Sequence, residues 1–490
     1  MKRRDFLKLS AGTMITAAVE GCVSKQFSKT HAARSRPNIV FVLMDDLGWL
    51  DIACFGSPII KTPTMDRLAK QGCRFTNFYV TSPVCSPSRA GCLTGRIPNR
   101  FDMQDVIHTG EYSSSVYHHL PLEEPTYARQ LKKAGYRTCH IGKWHLSCVD
   151  FPGEPWPDDY GFEHFLICEG GGSGKYENPT DWIRNRKKVE GKLADWSADL
   201  YVDEAIKFIE SCDNQPFLIN LWPWAPHEPI ITSPKYKALY ADRPEPEQNY
   251  FGAITQFDNA LGRLITYLEK HKLVENTLIV LTSDNGPEFM AGALIPNGNV
   301  MPFGANSRGA TPFRDRKHDI YEGGIRLPAI MRWDGVIEAG SVSSVQVSTL
   351  DLFPTFCAIS GAQLPRDVVF DGGDFRSALK GKPVLRPHLL YWQYNYAEAH
   401  KSPFGMGSPQ LAIRDGQWKL MCDLKFENIE LYNLDIDPAE RWNFVKGYPE
   451  ITQRLLTELH KLFDEVNKPY PSVRYLNSTI LEMKTKQGVK

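Results

Sequence analysis

The residues able to do chemistry fall in a few short clusters. Cys85-Ser86-Pro87-Ser88-Arg89 reads as a helix start: Pro87 suits the first helical position, where a missing N–H needs no partner, and Ser86 is a favoured N-cap. Cys85 then sits at the helix mouth, where free N–H groups and the positive dipole end favour an anion, and Arg89 adds a positive charge one turn later. An oxyanion substrate is the reading these features support. Asp45-Asp46 and Asp284-Asn285 follow two apolar runs and offer hard oxygen ligands, which suit Ca²⁺ or Mg²⁺ better than a soft-ligand metal. Lys143 and His145 share a short turn, His227 lies in Pro226-His227-Glu228-Pro229, and Lys317 precedes Tyr321-Glu322-Gly323-Gly324-Ile325-Arg326.

The elements that must position these groups alternate. Asn38 to Met44 is a continuous apolar run that fits a strand buried on both faces of a parallel sheet, and it ends in Asp45-Asp46. Thr62-Pro63 opens a helix closed by Gly72, and a strand from Arg74 to Val80 delivers the chain to Cys85. A helix from Tyr127 to Ala134, capped by Gly135, leads to a strand through Tyr136 to Ile141 and then to Lys143. Phe151 to Trp196, rich in Pro and Gly and including Gly170-Gly171-Gly172, reads as surface loops that wall the substrate site. A helix from Leu200 to Cys212, a strand from Pro216 to Leu221, a long amphipathic helix carrying Ile254, Phe257, Leu261, Leu264, Ile265 and Leu268, and a strand from Leu278 to Thr282 follow. Such alternation predicts an α/β sandwich on a mainly parallel sheet, with ligands at the carboxyl ends of its strands. Beyond Gly381 the pattern changes: Leu389 to Tyr394, and Gln410 to Ile413 with Gln417 to Met421 around Arg414-Asp415-Gly416, predict a small antiparallel sheet, followed by a helix from Ile451 to Val466. The expected organisation is a leader over 1–33, a catalytic domain over 36–380 and a small C-terminal α/β domain over 381–490.

Cys85-x-Pro87-Ser88-Arg89 followed by Leu93-Thr94-Gly95-Arg96 resembles the signature of the type I sulfatases, in which that cysteine is oxidised to formylglycine. The likeness runs from about Arg36 to Pro449 and includes Leu431-Tyr432-Asn433-Leu434 and Asp437-Pro438-Ala439-Glu440. Met44-Asp45-Asp46-Leu47-Gly48-Trp49 and Gly142-Lys143-Trp144-His145-Leu146 are similar to the arylsulfatase A and N-acetylgalactosamine-6-sulfatase group. The resemblance implies an alkaline-phosphatase-like fold and one calcium ion on Asp45, Asp46, Asp284, Asn285 and the converted Cys85. It also implies Arg89, Lys143 and Lys317 as cations at the sulfate, His145 as partner of the formylglycine hydroxyl, and His227 as donor to the leaving oxygen. Pro312-Phe313-Arg314-Asp315-Arg316 departs from the family's more usual Gly-rich approach to the lysine. Hydrated formylglycine carries two hydroxyls on one carbon. One attacks sulfur in line while an acid protonates the departing alkoxide; the other then loses its proton and expels sulfate by C–O cleavage, restoring the aldehyde.

Lys2-Arg3-Arg4-Asp5-Phe6-Leu7-Lys8 and the short apolar run behind it read as a twin-arginine export signal, implying the twin-arginine translocase and a formylglycine-generating enzyme as partners and a periplasmic or cell-surface destination. Val19-Glu20-Gly21-Cys22 loosely resembles a lipoprotein cleavage box and leaves a lipid anchor at Cys22 open. Lys plus Arg equals Asp plus Glu at 57 each, so no global field draws the chain to nucleic acid. The 11 cysteines show no zinc or redox spacing, and most are expected to be buried thiols. Trp144, Trp222, Trp224 and Trp392 are expected in the core. Sulfated carbohydrate is the expected substrate. Two alternatives stay open at this point: a phosphodiester or phosphonate ester hydrolase of the same superfamily, and a glycan receptor whose Cys85 is left unmodified.

Overall fold

The first apolar run is β1 (Asn38–Met44) of a computed structural model that describes residues 36–468 apart from 108–118, 150–151, 169–173, 192, 194, 289–311 and 395–408. The export signal with Cys22, and Gly170-Gly171-Gly172, lie outside the described residues. In chain order there follow α1 (Pro63–Gln71), β2 (Cys73–Tyr79), α2 (Cys85–Thr94), α3 (Tyr127–Lys133), β3 (Arg137–Gly142), β4 (His164–Cys168), β5 (Trp182–Arg184), β6 (Lys187–Lys188), α4 (Ser197–Glu210), β7 (Phe217–Trp222), α5 (Pro234–Lys237), α6 (Glu245–Lys270) and β8 (Thr277–Ser283). The remainder is α7 (Glu322–Ile325), β9 (Arg326–Arg332), β10 (Ser341–Ser343), β11 (Val347–Ser348), α8 (Leu352–Ser360), β12 (Leu390–Gln393), β13 (Leu411–Asp415), β14 (Trp418–Cys422), β15 (Glu430–Asn433) and α9 (Pro449–Val466).

The main sheet runs β10-β2-β9-β8-β1-β7-β3-β4-β5-β6, with β11 continuing the β10 side of β2. The strands β8, β1, β7 and β3 at its centre are all parallel. Because side chains alternate across a strand, Val40, Val42 and Met44 enter the core under α1, α4 and α6, while Ile39, Phe41 and Leu43 enter the core under α2, α3 and α8. Every residue of β1 is buried, as its unbroken apolar run demands. The apolar stripe of α6 is buried as expected, and α6 also caps α1: the Asp258 carboxylate accepts the Thr64 and Met65 N–H groups at 3.0 and 2.8 Å, whereas the Thr62 side chain makes no cap bond.

The loop expectation needs correction. The stretch from Phe151 to Trp196 is not loop throughout: β4 pairs in parallel with β3, and β5 and β6 extend the sheet antiparallel to it. His-Phe-Leu-Ile-Cys of β4 is only five residues long, and four of them are buried by sheet pairing rather than by any pattern visible locally. The main sheet is mainly parallel as expected, with β9 running antiparallel between β2 and β8.

The antiparallel sheet β12-β13-β14-β15 forms as expected, with β15 as a fourth strand, and α9 covers it with Leu455, Leu459, Leu462 and Val466. It is tied to the turn before β9 by a buried ionic cluster. Lys419 Nζ donates to Ile320 O at 2.8 Å, Glu322 Oε1 at 3.0 Å and Glu440 Oε1 at 2.8 Å. Tyr79 Oη donates to Glu322 Oε2 at 2.6 Å, and Glu322 N–H to Glu440 Oε2 at 2.7 Å. Trp144, Trp222, Trp224 and Trp392 are all buried. Nine of the ten described cysteines are buried, and all ten are free thiols.

Candidate active site

Register brings the two acidic pairs together. β1 and β8 are parallel neighbours with Met44 opposite Ser283, so Asp45-Asp46 and Asp284-Asn285 leave the sheet side by side. Asp46 N–H donates to Asp284 Oδ1 at 3.2 Å, and Asn285 Nδ2 donates to Asp46 Oδ1 at 2.6 Å. Asp46 holds a left-handed φ of 62°, a costly backbone state that recurs at functional sites.

On the other side of β1, β7 and β3 end opposite one another at Trp222 and Gly142. Gly142 has φ +108°, and a Cβ there would lie 2.0 Å from the Trp222 carbonyl oxygen, so this close approach requires glycine. Lys143, the next residue, sends Nζ to Asp45 Oδ2 at 2.7 Å and to Cys85 Sγ at 3.3 Å. Cys85 Sγ also lies 3.6 Å from Asp45 Oδ1.

The helix bearing Cys85 starts two residues earlier than expected. Val84 is its N-cap residue, and the Ser88 N–H closes the first turn on the Val84 carbonyl at 3.2 Å. Ser86 is therefore not the cap; its Oγ accepts the Ile107 N–H at 3.0 Å. Pro87 fits inside the first turn because no N–H there has an intrahelical acceptor. Cys85 remains at the open end. From the next turn Arg89, wholly buried, grips Asp284 Oδ2 through Nε at 2.9 Å and Nη2 at 2.7 Å, and its guanidinium lies 5.2 Å from the Trp222 ring centroid.

Lys317 reaches the same place because β9 is antiparallel, so the segment leading into it arrives at the carboxyl edge of β1 and β8. Lys317 Nζ donates to Asp46 Oδ2 at 2.9 Å, and the His227 Nε2 stands 3.7 Å from that oxygen. The His227 ring points Nδ1 at the Glu228 carbonyl at 2.7 Å. His145, at φ 54°, directs Nε2 to the Ile107 carbonyl at 3.0 Å; its Nδ1 is buried without a hydrogen-bond partner among the described residues. With Nε2–H donating, Nδ1 is an acceptor on a ring that feels the charges of Lys143 and Arg89.

Charge follows from this geometry. Burial alone would raise Asp45, yet Lys143, His227 and Arg89 together hold its carboxyl below the usual range. Burial works against the Lys143 and Lys317 ammonium groups, but Asp45 and Asp46 respectively keep both charged. Burial and the nearby Lys143 push the imidazoles of His145 and His227 down. Burial pushes the Cys85 thiol up, so that it is a neutral thiol near pH 7.

Ligand atoms of Asp45, Asp46, Cys85 and His227 all lie within 4.8 Å of one another. The Asn285 Oδ1 is buried with no hydrogen-bond partner among the described residues, an orphan acceptor beside three carboxylates. Hard oxygens with one left unpaired fit a divalent cation of the calcium type. All ten residues singled out in the sequence thus converge on one strand edge. Two that were not, Glu288 and His318, join them: Glu288 Oε2 is 3.5 Å from Lys317 Nζ and 3.0 Å from His318 Nε2. His318 follows Lys317 and Glu288 lies three residues beyond Asn285, but neither belongs to a motif, so only the fold brings them to the site. A separate cleft of about 610 Å³, lined by Arg386, His388 and Glu465 among others, includes none of these residues.

The site and fold agree with what comparison finds. The family model described as Sulfatase matches residues 37–362, and one described as N-sulphoglucosamine sulphohydrolase, C-terminal, matches 311–468. The chain is 32% identical over 451 residues to N-acetylgalactosamine-6-sulfatase of Mus musculus, covering 87% of this chain and 79% of that one. It is 31% identical to arylsulfatase A of Homo sapiens, covering 87% of each. Among solved structures, Ps i-CgsB in complex with k-i-k-neocarrahexaose superposes with a TM-score of 0.76 at 26% identity, covering 89% of this chain and 94% of that one. The chain belongs to the sulfatase family, with an alkaline-phosphatase-like α/β fold. It is a sulfuric ester hydrolase of the type I group.

Proposed function

We propose that this protein is an exported, calcium-dependent sulfatase that removes sulfate esters from sulfated carbohydrates through a formylglycine made from Cys85. The observation that carries the reading is the placement of Cys85 at the open end of α2, 3.3 Å from Lys143 Nζ and 3.6 Å from Asp45 Oδ1. An unconverted thiol in that place has no counterpart to the second hydroxyl that turnover requires.

The chain's own residues divide the work. Lys143, Lys317 and Arg89 are preorganised positive charges around the sulfuryl group, on a buried floor where such charges act strongly. His145 receives a proton from the formylglycine hydroxyl at Nδ1, and His227, as the imidazolium with its Nδ1–H on the Glu228 carbonyl, gives one from Nε2 to the leaving oxygen. A calcium ion held by Asp45, Asp46, Asp284, Asn285 and the converted residue 85 would neutralise charge on the transferring group. Carbohydrate is supported by the names of the relatives, which include N-acetylgalactosamine-6-sulfatase, and 6-sulfated galactose or N-acetylgalactosamine is the leading candidate. Export through the twin-arginine translocase, to the periplasm or cell surface, is supported by Arg3-Arg4-Asp5-Phe6-Leu7-Lys8, with lipidation of Cys22 as a variant of the same route.

The test is sulfate release, by ion chromatography, from a panel of sulfated mono- and disaccharides, using protein co-produced with a formylglycine-generating enzyme and supplied with calcium. Release from one regiochemical class supports the reading. Silence across the panel, with Cys85 confirmed as converted, overturns small sulfated sugars as substrates and points to longer polymers or to phosphoesters.

A further inference from the structure

Among the described residues, the floor of the site is buried and three groups at its rim are partly exposed. Side chains of Asp45, Asp46, Arg89, Lys143 and Lys317 are at most 7% exposed, whereas His227, Glu288 and His318 are 24%, 28% and 26% exposed. These rim groups are joined to one atom of the floor: Asp46 Oδ2 meets Lys317 Nζ at 2.9 Å and faces His227 Nε2 at 3.7 Å, and Lys317 Nζ lies in turn 3.5 Å from Glu288 Oε2. Glu288 is therefore one ammonium group away from the cluster that receives the sulfate.

Its orientation is built. His318 Nε2 holds Glu288 Oε2 at 3.0 Å, and His318 Nδ1 meets Tyr394 Oη at 3.2 Å. His318 keeps a left-handed φ of 73°, and its N–H donates to the Pro83 carbonyl at 3.1 Å, two residues before Cys85. A carboxylate at this point opposes binding of the anionic sulfate itself, so its use lies with the rest of the substrate. His227 must reach the leaving oxygen, which places the departing alcohol over the rim that Glu288 occupies.

We propose that Glu288, oriented by His318 and Tyr394, sets the specificity for the leaving sugar; the inference rests on the sulfatase reading of the site. The carboxylate accepts a hydrogen bond from a hydroxyl or amide N–H close to the sulfate ester and repels a second anion there. The substrate class is thus a sugar carrying one sulfate with neutral hydrogen-bond donors beside it; a neighbouring second sulfate is disfavoured.

The experiment compares kcat/KM on 6-sulfated and 4,6-disulfated N-acetylgalactosamine for the calcium-loaded wild type, Glu288→Gln and Glu288→Asp, with equal Cys85 conversion and equal melting temperature verified. The wild type prefers the monosulfated sugar, Glu288→Gln narrows that preference by about tenfold, mostly through KM, and Glu288→Asp retains it because the charge remains. A preference unchanged in Glu288→Gln, or a wild type that prefers the disulfated sugar, overturns this inference alone. Absence of sulfate release by the wild type from either sugar overturns the sulfatase reading and this inference with it.

Discussion

Lys419→Met tests the buried cluster that ties the small sheet to the Lys317 turn. The Lys419, Glu322 and Glu440 side chains are 0% exposed, and all three protons of the Lys419 ammonium are used, on Ile320 O, Glu322 Oε1 and Glu440 Oε1. Methionine fills nearly the same volume, so the loss is electrostatic: two carboxylates remain in a dry site with one partner fewer each. Removing one member of a buried ionic set costs about 3–5 kcal/mol. The lower end applies here, because burial has already raised the Glu440 carboxyl to about 7, so it takes up a proton readily once Lys419 is gone. Urea denaturation at pH 7 followed by tryptophan fluorescence measures the change, and Lys419→Met with Glu440→Gln completes a double-mutant cycle. The double variant is expected to lose less than the sum of the singles, since each removes what the other needs. A single-variant loss under about 1 kcal/mol, or strict additivity, would refute the reasoning.

Three further outcomes follow from the same structure. Arg89→Lys keeps the charge but cannot make the paired Nε and Nη2 bonds to Asp284, and steady-state assay should show kcat/KM down by about a hundredfold with the fold retained. Glu204 is buried, which alone would raise it, but His164 and Arg184 bring its carboxyl down to about 2 from an ordinary 4.5. Its stabilisation is complete above pH 4.5 and fades as pH falls towards 2, so Glu204→Gln should cost about 2–3 kcal/mol at pH 7 and much less at pH 3 by denaturant titration. Leu261→Ala opens a void in the fully buried stripe of α6, and the same titration should register a loss of about 2–5 kcal/mol.

The site was legible in the sequence where local pattern and chemistry coincide. Asn38 to Met44 and Leu278 to Thr282 read as buried strands from their apolar runs alone, and their parallel pairing sets Asp45-Asp46 beside Asp284-Asn285. What was not legible depends on partners distant in the chain. Pro87 marks a first turn without saying which of its positions it holds, so the local pattern favours Ser86 as the cap whereas the helix begins at Cys85. Strand β4 is made by pairing with β3, and the direction of β9 is set by β2 and β8 on either side of it, yet that direction is what carries Lys317 to Asp46. Thr62 looked like the cap of α1, but Asp258 supplies it across 193 and 194 residues of sequence. Glu288 lies three residues beyond Asn285 and has no motif of its own; only the fold puts it against Lys317 and His318.

The central claim is that Cys85, once oxidised to the aldehyde, is the group on which turnover depends. The direct measurement pairs peptide mass across Cys85 with the rate of sulfate release, in preparations made with and without the formylglycine-generating enzyme and in Cys85→Ala. The rate is expected to be proportional to the fraction of Cys85 converted and to vanish in the variant while its circular dichroism and melting stay those of the wild type. Sulfate release that is independent of conversion, or that persists in Cys85→Ala, would contradict it.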